Sequence, residues 1–178
     1  PIWRRSKSEV EDEDYQEFFT SVLRNYDSAL SWSHFKVEGD VEFTGLVYIP
    51  NSPPSLVDVE KASKMRLYVK RVFITDDFEN LLPSYLNFLQ GVIDSDDLPL
   101  NVSREMLQQS KVLDKIRRKL LRKIVGMFQE MRKKEPEKFD DFYEKYATFL
   151  KLGVIQDPAN KDRLSKLLRF PSAIHDKE

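Results

Sequence analysis

A change of hydrophobic period constrains this chain's fold more than any other feature. In "SEVEDEDYQEFFTSVLRNYDSAL", residues 8–30, Tyr15, Phe18, Phe19, Val22, Leu23 and Tyr26 recur at three- and four-residue steps, the spacing of an amphipathic helix. Ser8 followed three residues on by Glu11 has capping-box spacing, with more acids in the first turn where the helix dipole favours them. The pattern then alternates. In "HFKVEGDVEFTGLVYIP", Phe35 and Val37 precede Gly39 and Asp40, and Val41 and Phe43 follow, which predicts a β-hairpin ending at Pro50.

Past a proline-rich loop, "MRLYVKRVFIT" is β-branched and aromatic. Leu67, Val69, Arg71 and Phe73 share one face and Tyr68, Lys70, Val72 and Ile74 the other, which predicts one central strand. "DDFENLLPSYLNFLQGV" reads as a helix with Leu86, Phe88 and Leu89 buried and Gly91 as its stop. A long helix is predicted from Glu105 to about Lys134, with Val112, Leu113, Ile116, Leu120, Ile124, Phe128 and Met131 as its apolar stripe. Pro136 ends it or opens the next helix, which Gly153 stops, and "PANKDRLSKLLRF" forms the last. A helix, three or four strands and then consecutive helices predict an α/β (α+β) class. The expected architecture is a three-layer α/β/α sandwich with a mixed sheet over residues 1–124, then a helical extension over 125–178.

Composition narrows the chemistry. Of 178 residues, 40% are hydrophobic and 33% charged, enough for a real core under an ionic surface. The net charge of −1 argues against a globally basic nucleic-acid binder. With no cysteine, disulfides and thiolate chemistry are excluded. His34 and His175 are the only imidazoles, and His175 falls in the tail "AIHDKE", so a two-histidine metal site or a catalytic triad would rest on His34 nearly alone and is not expected. No apolar run approaches the length of a membrane span and no signal peptide is seen. The chain opens at Pro1 and is read as a piece of a longer protein.

Few constellations carry chemistry. Residues 111–134 hold ten lysines and arginines against Asp114 and Glu130, but no aromatic residues interleave as stacking platforms. Overall neutrality favours a solvated, charge-balanced face. Asp94, Asp96 and Asp97 lack the glycine and closing glutamate of a calcium loop, so a turn-forming acidic loop before Pro99 is expected and no metal site. Asn101, in "NVS", is a glycosylation sequon. Arg104 follows Ser103, a candidate helix cap, and Gln108 shares its face one turn on. A cation there opposes the helix dipole, so an ion pair with Glu105 or the acidic loop competes with contact to a phosphate. The chain has no glycine-rich loop or Walker-type lysine. A nucleotide met by Arg104 would have to be held by another domain, as an arginine finger requires.

The stretch from "LYVKRVFITDDFENLLPSYLNFLQ" through "GVIDSDDLPLNVSREMLQQSKVLDKIRRKLLRK" resembles the middle domain of the heat shock protein 90 chaperones. The resemblance runs from "PIW" to "LGVIQDPANKDRLSKLLRF", and it is nearer the endoplasmic-reticulum member than the cytosolic or mitochondrial ones. It implies part of a homodimeric, ATP-driven folding chaperone of the endoplasmic reticulum lumen, with the cytoplasm as the alternative. ATP with Mg would be bound mainly by a separate N-terminal domain, and dimerisation would lie in a C-terminal one. In that family the arginine here numbered Arg104 reaches the γ-phosphate, and Gln108 supports its loop. Phe73, Leu98 and Leu100 match an apolar patch near that loop, and Trp3 matches a residue linked to client contact. Clients and co-chaperones are the implied partners, with no nucleic acid and no membrane span. No cofactor and no catalysis are expected of this segment by itself.

Overall fold

The computed structural model describes residues 1–59, 64–101 and 103–169. His175 and Pro171 lie outside the described residues. Five strands form one mixed sheet in the order β1-β2-β5-β3-β4. They are β1 (Ala29–Val37), β2 (Phe43–Pro50), β3 (Lys64–Val69), β4 (Val72–Thr75) and β5 (Gln90–Ser95). All neighbours are antiparallel except β3 and β5, which run parallel. Period-two alternation in β2 sends Phe43, Val47 and Ile49 to one face of the sheet and Leu46 and Tyr48 to the other.

Each face is covered. Helix α1 (Asp12–Glu17), continued by a π turn over Phe18–Val22, packs with the N-terminal turn Ile2–Arg4 over Leu46, Tyr48 and Val92. The other face carries α4 (Lys111–Lys134), α5 (Pro136–Gln156) and α6 (Lys161–Ser165), with Phe88, Phe128, Phe142 and Tyr146 in contact as a ring cluster. The result is the three-layer α/β/α architecture, with α4, α5 and α6 sharing one core with the sheet. Ile124 and Val125, on either side of the division read from sequence, lie in the middle of α4 and in one core. Two further short α-helices among the described residues are α2 (Leu56–Val59) and α3 (Arg104–Gln108).

Several local expectations are corrected. The first helix is capped by Glu11 with Asp14 rather than by Ser8 with Glu11, and it ends at Val22, leaving Tyr26 fully exposed. The predicted single strand over residues 65–75 is a hairpin. Lys70 (φ 49°) and Arg71 (φ 68°) both take left-handed backbone in its two-residue turn, the type I′ geometry usually given to Asn and Gly. The helix predicted through Leu86 and Leu89 is a single turn, Ser84–Leu86, entered at Pro83, with β5 beginning at Gln90. Its apolar residues Leu81, Leu82, Tyr85, Leu86, Phe88 and Leu89 are all buried although the chain makes only one helical turn there, so tertiary packing overrides the local helical pattern.

Gly91 is inside β5 and stops nothing. Its φ is +150° and a Cβ there would overlap the Leu46 carbonyl of β2, so glycine is what lets the two central strands meet. Gly153 lies inside α5, packed on the Tyr85 ring. The long helix predicted from Glu105 is broken at Gln109 and Ser110 into α3 and α4.

Candidate functional site

Arg104 is the first residue of α3, a five-residue helix set apart from the basic α4. Ser103 caps α3, its hydroxyl accepting the Met106 N–H at 3.2 Å. With so short a helix the dipole at Arg104 is small, and its ion-pair partner is neither Glu105 nor one of the acids expected to form a loop. Of those acids Asp94 instead lies buried in β5, and only Asp96 and Asp97 follow the strand. The guanidinium Nη2 donates to the Thr75 hydroxyl at 2.6 Å and to the Asp77 carboxylate at 2.5 Å. Thr75 ends edge strand β4 and donates to Asp77 at 2.5 Å, so three side chains form one seat. The Thr75 hydroxyl, and next the Arg104 charge, hold the Asp77 carboxyl below its ordinary value. Arg104 is 47% exposed and Asp77 58%, so the pair faces solvent and an incoming anion can exchange with the carboxylate. Gln108 is half-buried on the same short helix, which Leu107 anchors to the core.

The four apolar candidates divide by burial. Phe73 is 50% exposed and Leu100 40%, whereas Trp3 and Leu98 are buried. Val72 and Met106, which sequence reasoning passed over, are also exposed, so β4 and α3 both carry apolar surface beside the Arg104 seat. Trp3 lies against Tyr68, ring centroids 4.7 Å apart, and Tyr68 meets Phe73 edge-on at 5.6 Å. Asn101 is exposed. Sequence reasoning also missed Thr75 and Asp77. The available signal was a hydroxyl and a carboxylate two residues apart just past a strand end.

The remaining polar candidates are engaged structurally. Asp94 accepts the Trp3 indole N–H at 2.9 Å, Asp97 accepts the Glu42 N–H at 2.5 Å, and Asp96 pairs with Arg4 at 3.5 Å. Among the described residues no group of three or more His, Asp or Glu could hold a metal ion. On α4, Lys115 and Lys119 pair with Asp40, Arg117 with Asp114 and Lys134 with Glu130. Asp40 is pushed down to about 2, first by the bond from Lys119. His34 is buried, its Nε2 within 2.9 Å of the Trp3 carbonyl and its Nδ1 2.7 Å from the Tyr15 hydroxyl. A carbonyl only accepts, so Nε2 carries the proton and Nδ1 accepts from Tyr15. Burial lowers its pKa, and Lys7 adds to this, against the opposing Trp3 carbonyl bond.

A family model described as Hsp90 protein matches residues 1–178. The chain belongs to the Hsp90 family. An endoplasmin homolog of Dictyostelium discoideum is 50% identical over 177 residues, covering 97% of this chain and 23% of that protein. The chaperone protein HtpG of Chromobacterium violaceum is 48% identical over 172 residues, covering 96% and 27%. The chain thus spans about a quarter of the length of these Hsp90-family relatives. The solved middle domain of a Plasmodium falciparum heat shock protein superposes with a TM-score of 0.80 at 32% identity, over 96% of this chain and 65% of that one. This is therefore an Hsp90-family middle domain. No helix among the described residues is long and apolar enough to cross a membrane.

Proposed function

We propose that this middle domain supplies Arg104 to the γ-phosphate of Mg-bound ATP held by a separate N-terminal domain of the same protein. The observation that carries this reading is the solvent-facing seat of Arg104 on Thr75 and Asp77, where a phosphate can take the carboxylate's place. One arginine is far short of a nucleotide site, so the residues present fit a contact completed from outside and not a resident ATP pocket. Gln108 supports the α3 loop. The test is Arg104→Ala in the intact protein, with turnover and ATP affinity measured separately. Loss of one donor to transition-state charge predicts a fall in turnover on the order of 10²-fold, with ATP affinity unchanged. Turnover at the parent level sinks the reading.

A second reading, a scaffold for clients and co-chaperones without nucleotide contact, is favoured by exposed Phe73 and Leu100. It predicts that client binding survives Arg104→Ala and falls with Phe73→Ser. Trp3 would act on such a surface through Tyr68, which packs between it and Phe73, whereas Leu98 is buried in the core on the other face of the sheet. The protein is read as a homodimer through a C-terminal domain. Endoplasmin relatives support the endoplasmic reticulum lumen, and the bacterial HtpG relatives are as similar. A signal peptide and a C-terminal retention tetrapeptide in the flanking sequence would decide for the lumen over the cytoplasm, and an Asn101 glycan would be read by mass shift on deglycosylation.

A further inference from the structure

Asp94 is fully buried, and neither the Arg104 seat nor the apolar patch uses it. Its two carboxylate oxygens face donors from distant parts of the chain. Oδ2 accepts the Trp3 indole N–H at 2.9 Å, and Oδ1 accepts the Arg71 backbone N–H at 3.2 Å. A buried carboxylate survives only where its acceptors are used. An asparagine, with one acceptor oxygen and one donor nitrogen, would satisfy only one of these partners.

The second partner is unusual. Arg71 and Lys70 form a hairpin turn in left-handed backbone without glycine or asparagine. Such a turn persists only where its surroundings hold it. Here β5 does so twice: Asp94 accepts from Arg71, and the Ser95 carbonyl accepts the Lys70 N–H at 3.0 Å. Strand β4 begins at the next residue, lies at the sheet edge with β3 as its one neighbour among the described residues, and ends at Thr75, the hydroxyl that seats Arg104. The turn and the β3 ladder therefore set where Phe73 and Thr75 stand.

We infer that Asp94 is a positioning residue: by clamping the β3–β4 turn to Trp3 it fixes β4, and with it Phe73 and the Thr75 seat of Arg104. Its consequence for turnover rests on the proposed role of Arg104, and its consequence for β4 does not. The test uses Asp94→Asn and, as a partial lesion, Trp3→Phe, which removes the indole donor and leaves the Arg71 bond. Amide hydrogen exchange should quicken by about tenfold or more at Arg71 and through β4 in Asp94→Asn, while β2 and α4 keep parent rates. Trp3→Phe should give a smaller change at Arg71. In the intact protein Asp94→Asn should lower kcat and leave the KM for ATP unchanged. Parent exchange rates at residues 70–75, or an equal rise across β2 and α4, would overturn the inference. If Arg104→Ala leaves turnover normal, the Arg104 reading falls, and the exchange pattern alone decides for Asp94.

Discussion

Arg104 and His34 are both polar groups beside carbonyl or carboxylate oxygens, yet their settings assign opposite tasks. Arg104 is half exposed and its partner carboxylate lies in water, so exchanging Asp77 for a stronger anion strands no buried charge. His34 is buried between Tyr15 and the Trp3 carbonyl, and charging it would put a cation into a closed site. Its folded pKa lies below the ordinary 6.5. Between those two values the unfolded chain binds a proton that the folded chain does not, so stability falls as pH drops through that interval and levels off beneath it. Asp40, Asp77 and Glu130, whose pKa values are lowered, lose their contribution only at more acidic pH. Thermal unfolding between pH 7.5 and 5.5 should therefore show a loss of stability that His34→Gln removes. An identical slope in the variant would show that His34 is not its source.

The hairpin turn between β3 and β4 makes the clearest prediction for a single element. Each non-glycine residue in left-handed backbone carries strain, and Lys70 and Arg71 carry it side by side. Replacing the pair with Asn and Gly keeps the backbone donors used by Ser95 and Asp94 while relieving that strain. The midpoint of chemical denaturation should move up by the equivalent of about 1 kcal/mol; a lower midpoint would show that the side chains themselves hold the turn. The same turn shows why parts of the fold were illegible. Helices α4 and α5 were readable because each carries an apolar stripe and Pro136 marks their boundary, and β2 because its β-branched and aromatic run ends at Pro50. The β3–β4 hairpin was not, because Lys70 and Arg71 are poor turn residues placed by a carboxylate in another strand. Likewise "REMLQQSK" continues a helical pattern, yet the chain breaks at Ser110. The sequence resemblance named Arg104, but Thr75 and Asp77 became visible as its seat only once β4 lay beside α3.

At the scale of the whole molecule, the sheet is a wall shared by two cores, one under α1 and one under α4 and α5. Tyr48 and Val47 are neighbours in β2 and face opposite cores, so neither layer can loosen without exposing the other side of the same strand. This predicts a single cooperative transition. Both tryptophans, Trp3 and Trp32, report from the α1 side, whereas Phe128 is fully buried on the other. Phe128→Ala should cost about 3–5 kcal/mol and lower the melting midpoint on the order of 10 °C. Tryptophan emission and far-ultraviolet circular dichroism should shift together by the same amount, although the lesion touches neither tryptophan. If emission kept its parent midpoint while the helical signal melted early, the two layers would be separate folding units. The Asp94 clamp, on the α1 side, would then be insulated from changes in α4 and α5.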